Sequence, residues 1–281
     1  MDGLQVAKVL NNNVIIGEHP EHGEVVVIGK GIGFNRKPKE MIPLKSAEKL
    51  FILKNAVEQE QYKQLAQQVD EKLIEVLNEI LLYVAKHSQA PLNEHIHIAL
   101  TDHIAFAIKR AEQDIAIHNP FLYETKEIYP EEYHLAEYAI NMIRERMGVD
   151  LGQDETGFVA LHIHSALTNQ HITEVKAHSQ LISDMIDMIE NQLHVSIARN
   201  SLDYARLLTH LRFAIERIRR GERVQELGKL EEVLKDEYPE LYDLAWKLTK
   251  VMEKRLHKPV YQAEISYLTM HLNRVAPHQE I

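Results

Sequence analysis

The stretch Tyr129-Pro130-Glu131-Glu132-Tyr133-His134-Leu135-Ala136 recurs 109 residues later as Tyr238-Pro239-Glu240-Leu241-Tyr242-Asp243-Leu244-Ala245. The same offset, without a gap, carries Glu155 onto Glu264 and His162 onto His271. Upstream, an offset of 107 carries Asn93 onto Asn200, Leu100 onto Leu207, His103 onto His210, Phe106-Ala107-Ile108 onto Phe213-Ala214-Ile215 and Arg110 onto Arg217. Solenoid repeats run about 20–50 residues, so this period is too long for one. It predicts two homologous domains instead, 70–172 and 173–281.

Both copies read as helix. Leu65, Val69, Leu73, Val76, Leu77, Ile80 and Leu81 recur at steps of three and four residues, which makes one apolar helix face. Helical texture continues to the C-terminus, punctuated near Pro91, Pro120, Pro130, Gly148, Gly221, Pro239 and Pro259.

The first 58 residues have another texture. Leu4 to Leu10, Val14 to Ile16, Val25 to Ile28 and Leu50 to Leu53 are rich in β-formers and read as four strands. Asn11-Asn12-Asn13 separates the first two and predicts a turn, because asparagine tolerates positive φ. His19-Pro20-Glu21-His22-Gly23 is a second turn, and Gly29-Lys30-Gly31-Ile32-Gly33-Phe34 a glycine-rich loop. Residues 59–69 read as a linker. The expected fold is α+β and multidomain: a small antiparallel sheet followed by two all-α bundles. So small a sheet buries little core alone, and pairing with a second copy is expected.

Bulk properties narrow the function. No apolar run approaches the ~18 residues of a membrane span. Residues 1–5 show neither the basic nor the apolar part of a secretory signal. The absence of cysteine removes disulfides, thiolate metal sites and thiol nucleophiles, and fits a cytoplasmic location. The net charge of −10 hides an asymmetry. Residues 1–55 carry eight Lys/Arg and six Asp/Glu, so a mildly basic head precedes an acidic body. That polarity favours phosphate contact at the head.

Within one chain, the repeat separates residues that persist from those that drift. Four of the 17 histidines are kept in register: His103 and His162 in the first copy, His210 and His271 in the second. Four readings compete. They are core histidines bonded to carbonyls, metal ligands, general bases, or phosphoacceptors. His95-x-His97 and His162-x-His164 have metal-like spacing, but both are broken in the second copy. No nucleophile or carboxylate pair recurs beside the histidines, so no catalytic site is read and no cofactor is expected. Neutral imidazole, with a pKa of about 6.5, is a good nucleophile near pH 7. A phosphate on it adds roughly two negative charges to a domain surface. Arg110 and Arg217 lie two turns along the same face from His103 and His210, placed to answer that charge.

With these motifs together, the chain resembles the BglG/SacY family of transcriptional antiterminators, over essentially its whole length. The likeness rests on Asn11-Asn12-Asn13, the Gly29 to Phe34 loop and the two His-bearing repeats. The stretches Leu92 to His103 and Ala160 to Leu167 look most like its glucose-operon branch. The resemblance implies a dimeric RNA-binding head that holds an imperfect hairpin in a leader transcript and so prevents a terminator from forming. It implies two PTS regulation domains, with phosphate reaching His103, His162, His210 and His271 from a glucose-type sugar permease and from HPr. By motif position, Lys8, Asn11, Asn12, Asn13, Gly29, Lys30, Gly31 and Phe34 become RNA contacts, with Arg36 added for its charge. Phe34 is expected to stack on an unpaired base, and the asparagine amides suit base and ribose edges.

Two departures stand out. Lys30 replaces an arginine common in relatives, keeping charge but losing the planar fork. Asp102 precedes His103, whereas Thr209 precedes His210. Two rival classes remain: a DNA-binding activator with the same regulatory domains, and a His-metal helical-bundle enzyme. The first needs a helix-turn-helix head, and residues 1–55 lack helical periodicity.

Overall fold

The computed structural model of the chain describes residues 3–51, 56–225 and 228–276. The head is a five-stranded antiparallel sheet, formed by β1 (Gly3–Val9), β2 (Val14–His19), β3 (Gly23–Ile28), β4 (Met41–Pro43) and β5 (Lys49–Phe51) in the order β4-β1-β2-β3-β5. The β1–β2 ladder shifts register between Val6 and Lys8, a bulge that leaves Lys8 exposed. The strand expected over 50–53 lies at 49–51; residues 52 and 53 fall outside the described residues. Strand β4 was not legible in the sequence. It is three residues long, and its proline is tolerated because the strand sits at the sheet edge.

Eleven helices follow among the described residues: α1 (Ala56–Gln68), α2 (Glu71–His87), α3 (Ile96–Ala111), α4 (Leu122–Ile128), α5 (Pro130–Met147), α6 (Gly152–Thr168), α7 (Ile172–Leu193), α8 (Leu202–Arg220), α9 (Lys229–Glu237), α10 (Pro239–Leu256) and α11 (Gln262–Val275). The repeated Tyr-Pro motif is a helix start. Pro130 and Pro239 open α5 and α10, where a missing N–H costs nothing. Asp70 caps α2 by accepting from the Lys72 N–H at 2.7 Å, and Ser201 caps α8 by accepting from Tyr204 at 3.1 Å.

The chain forms two compact units. The first holds residues 1–119 and 131–172, so it joins the sheet to the first set of helices. One sheet face presents Val14, Ile16, Val26 and Ile28, which pack against Tyr62 and Ala66 of α1, Ile74 of α2 and Ile98 of α3. Most of the 59–69 stretch read as a linker is therefore α1, lying on the sheet. On the opposite face Leu4, Val6, Ile15, Val25, Val27 and Ile42 of the sheet cluster with Ile32 of the glycine-rich loop. Helices α1, α2 and α3 thus cover one face of the sheet.

The second unit holds residues 173–281 together with 120–130. Segment 120–130 lies within the first repeat in chain order but packs with the second. The Tyr204 hydroxyl donates to buried Glu124 at 2.9 Å, and Arg212 donates to the Ile128 carbonyl at 3.2 Å. Burial and the carboxylate beside it push the Tyr204 phenol well above its ordinary range, so it stays a donor.

Candidate functional site

The asparagine turn and the glycine loop meet in space. Leu10 and Asn11 donate backbone N–H groups to the Val14 carbonyl, and Asn11 Oδ1 accepts from the Asn13 N–H at 2.9 Å. That side-chain bond makes the turn, because none of the three asparagines has positive φ. The left-handed positions fall instead at Gly31, Asn35 and Lys39. Asn13 is buried and works as a clamp: its Oδ1 accepts from Gly31 N–H at 2.8 Å and its carbonyl from Gly29 N–H at 3.1 Å. The Gly33 N–H donates to the Asn12 carbonyl at 2.8 Å, and a Cβ on Gly33 would stand 2.2 Å from the Asn11 carbonyl oxygen. Only glycine fits there. Gly33 is missing from the set of RNA contacts read from the sequence; its signal was its place in the motif.

The clamp puts Phe34 outward, 62% exposed, so it is no core residue. Asn12, Lys30, Gly31 and Arg36 are also exposed beside it, and Arg36 pairs with Glu40 at 3.7 Å. Asn11 and Asn13 are mainly architectural, and Gly29 is buried, with room beside it for hydrogen only. Lys8 stands on the β1 bulge; no contact described here joins it to the two loops.

The four histidines fall into two centres built on equivalent helix pairs. In the first unit, α3 carries His103 and Arg110 and α6 carries Glu155 and His162, each pair two turns apart on its helix. The rings of His103 and His162 lie 4.8 Å apart. His103 Nε2 bonds Glu155 at 2.9 Å, and Arg110 pairs with the other oxygen of the same carboxylate. Burial pushes the Glu155 carboxyl up, but hydrogen bonds and charge from His103 and Arg110 outweigh it and hold it below its ordinary value.

In the second unit, α8 carries His210 and Arg217 and α11 carries Glu264 and His271. Here Arg217 takes both oxygens of buried Glu264, at 2.8 Å each. His210 stacks on His271 at 4.1 Å. Nε2 of His210 and Nδ1 of His271 are buried and without a hydrogen-bond partner among the described residues. Burial, then His271 and Arg217, pushes the His210 imidazole down to about 3. Burial, then Arg274, lowers His271. The second pair is therefore neutral at pH 7.

The sequence reading noted Glu155 and Glu264 only as a pair kept in register by the repeat. Their part as arginine partners was missed, although the repeat preserved both members of each pair. Among the described residues, no three His, Asp or Glu side chains converge as a metal set. His164, half of one metal-like doublet, instead bonds Glu132 at 2.8 Å.

A clamped loop pair beside a basic edge, followed by twin buried histidine centres, defines a nucleic-acid-binding regulator with two copies of one control domain. The comparisons agree. The CAT RNA binding domain matches residues 4–60, and the PRD domain matches twice, at 78–166 and 183–275. The chain is 50% identical to the PtsGHI operon antiterminator of Bacillus subtilis over 96% of each chain. It is 36% identical to the GlcA/glcB genes antiterminator of Staphylococcus carnosus over 100% of this chain and 98% of that one. A crystal structure of GlcT CAT-PRDI matches at TM-score 0.56 and 54% identity, over 59% of this chain and 99% of that one. This chain belongs to the family of transcriptional antiterminators with a CAT RNA-binding domain and two PRD domains. Among the described residues, no helix is long and apolar enough to cross a membrane.

Proposed function

We propose that this chain is a cytoplasmic antiterminator for a sugar phosphotransferase operon, most simply a glucose one. The head binds an imperfect hairpin in the leader mRNA through Asn12, Lys30, Phe34 and Arg36, with Lys8 and Arg36 on flanking phosphates. Asn11, Asn13, Gly29 and Gly31 hold that surface in shape. The bound hairpin excludes the terminator, and polymerase reads on. The domains run 1–58, 70–172 and 173–281, and the working form is a homodimer.

The observation that carries the regulatory half is the repeated His–His–Arg–Glu constellation. In each transfer an imidazole nitrogen of the chain attacks the phosphorus of a phosphorylated side chain on the donor. A P–N bond forms here as the donor's bond to phosphorus breaks; the accepting ring releases one proton and the donor side chain leaves with the bonding electron pair and can take one up. The neutral state of the His210/His271 pair supports acceptance of phosphate from HPr. The first pair takes phosphate from the sugar permease and switches the chain off. Catalysis belongs to the donors, and the chain is a regulator.

The test is a readthrough reporter driven through the Bacillus subtilis ptsGHI leader, the operon in the name of the 50% relative. Asn13→Ala with Phe34→Ala is expected to lower readthrough at least tenfold, and His103→Asp to make it low whether or not sugar is present. Full readthrough by the first variant would sink the RNA surface. Full, sugar-independent readthrough by His103→Asp would sink the inhibitory role of that centre.

A further inference from the structure

The residues assigned to RNA in the head are held by the first regulatory unit. Asn12 Nδ2 donates to Glu71 Oε2 at 2.8 Å. Asn11 Nδ2 donates to the Ala66 carbonyl at 3.1 Å. Lys30 Nζ pairs with Glu75 Oε1 at 3.0 Å. Glu71 and Glu75 stand one turn apart on α2, so two carboxylates face the edge that would meet RNA phosphates. From the far side, Arg146 of α5 reaches Glu75 at 3.6 Å and Glu79 at 3.0 Å, tying that carboxylate to the helical bundle. Beneath these bonds lies the apolar seam of Tyr62, Ala66, Ile74 and Ile98 against the sheet.

We propose that this arrangement is an autoinhibited state, in which the α1–α2 surface occludes the RNA-reading edge through Glu71 and Glu75. The proposal rests on the RNA reading given above. The amide hydrogen that Asn12 gives to Glu71 is not free to read a base, and a lysine paired with Glu75 is not offered to a phosphate. Two anionic side chains at that edge repel the RNA backbone as well. The polar contacts are individually weak because Lys30 is 74% exposed, and exposed pairs contribute at most about 1 kcal/mol. Weak, reversible locking is what a switch needs, since a closed state populated even tenfold over the open one weakens apparent RNA affinity about tenfold. Opening bares Val14, Ile16, Val26 and Ile28, a face that a second head can cover. RNA competence and dimerisation then follow from one release.

The test uses the full chain and the Bacillus subtilis ptsGHI leader RNA in a gel shift. Glu71→Gln with Glu75→Gln removes both charges of the lock without changing side-chain size, and leaves Asn12 at most a neutral hydrogen bond. This variant is expected to bind at least tenfold tighter than wild type. Loss of two negative charges raises RNA affinity by itself, so a second variant separates occlusion from charge. Lys63 of α1 pairs with Glu24 at the start of β3. Glu24 is five residues, about 17 Å of strand, from the glycine loop. The chain has no native cysteine. Glu24→Cys with Lys63→Cys can therefore be joined by a short bis-maleimide that pins the head closed.

The cross-linked chain is expected to bind at least tenfold more weakly than the same chain before cross-linking. Equal affinity before and after cross-linking, with binding still lost in Asn13→Ala/Phe34→Ala, overturns the occlusion and leaves the RNA surface standing. Unchanged binding in Asn13→Ala/Phe34→Ala overturns the RNA surface, and the occlusion falls with it.

Discussion

In the first histidine centre Glu155 is shared, one oxygen to His103 and one to Arg110; in the second, Glu264 gives both oxygens to Arg217, and His210 lies on His271 instead. The same four residue types, on the same helix faces, produce two electrostatic settings. A histidine held by a carboxylate has one nitrogen committed. A histidine stacked on its partner and desolvated has one buried nitrogen without a hydrogen-bond partner, and its charge is off. Under the proposed function, two phosphate donors would meet two different acceptors, and discrimination would need no new residue types.

The largest effect separating the centres is expected on stability. Glu264 is almost wholly buried and its carboxylate is answered by Arg217 on both oxygens. Arg217→Ala leaves that charge buried and unpaired, and should cost about 3 kcal/mol. Arg110→Ala leaves Glu155 still bonded to His103, and should cost about 1–2 kcal/mol. Urea unfolding followed by circular dichroism measures both. Equal losses would mean that His103 gives Glu155 nothing, and the comparison breaks.

A smaller effect is expected with pH, of the same sign in both units but in different windows. The folded His210 value of about 3 lies below its ordinary 6.5, so the unfolded chain binds more protons between the two. The contribution is fully present above pH 6.5 and is lost as pH falls toward 3. Glu155 is also lowered in the fold, from 4.5, so its contribution is present above pH 4.5 and is lost only below it. Between pH 6.5 and 4.5, of these two groups only His210 costs its unit stability. Trp246, the single tryptophan, lies in α10 and reports on that unit. Its fluorescence midpoint in urea should fall from pH 7 to pH 5, and His210→Asn should flatten the fall. A pH-independent midpoint in the wild type would remove the desolvated pair from the account.

Much of this was legible before the structure, and the reason is the repeat. Two diverged copies in one chain select His103, His162, His210 and His271 without any relatives, and helical spacing places Arg110 and Arg217 on their faces. The glycine loop and the asparagine turn were legible as motifs, but not their mutual clamp. That clamp needs Asn13 Oδ1 to reach Gly31 across 18 residues, a contact no local pattern announces. The turn was right for the wrong reason, since side-chain acceptance and not positive φ shapes it. Strand β4 escaped because three residues ending in proline carry no alternation. The place of residues 120–130 in the second unit escaped because it rests on bonds between positions 63 to 84 residues apart, Tyr204 to Glu124 and Arg212 to Ile128 among them.

The smallest effect is the most direct probe of the first centre. Glu155 is held ionised, so it only accepts, and the hydrogen bonded between it and His103 must sit on Nε2. That bond therefore fixes a hydrogen on Nε2 of the ring. Glu155→Gln replaces the acceptor with an amide that can turn either its oxygen or its nitrogen to the ring. Nitrogen-15 chemical shifts should show His103 as a single tautomer in the wild type and a mixture in the variant. Glu264→Gln touches only Arg217, so the His210 and His271 shifts should hardly move. Phosphate uptake at His103 should change with its tautomer while uptake at His210 stays within about twofold, roughly 0.4 kcal/mol. If both variants shift both centres alike, the carboxylates act through general packing, and the distinction between a shared and a private glutamate loses its chemical meaning.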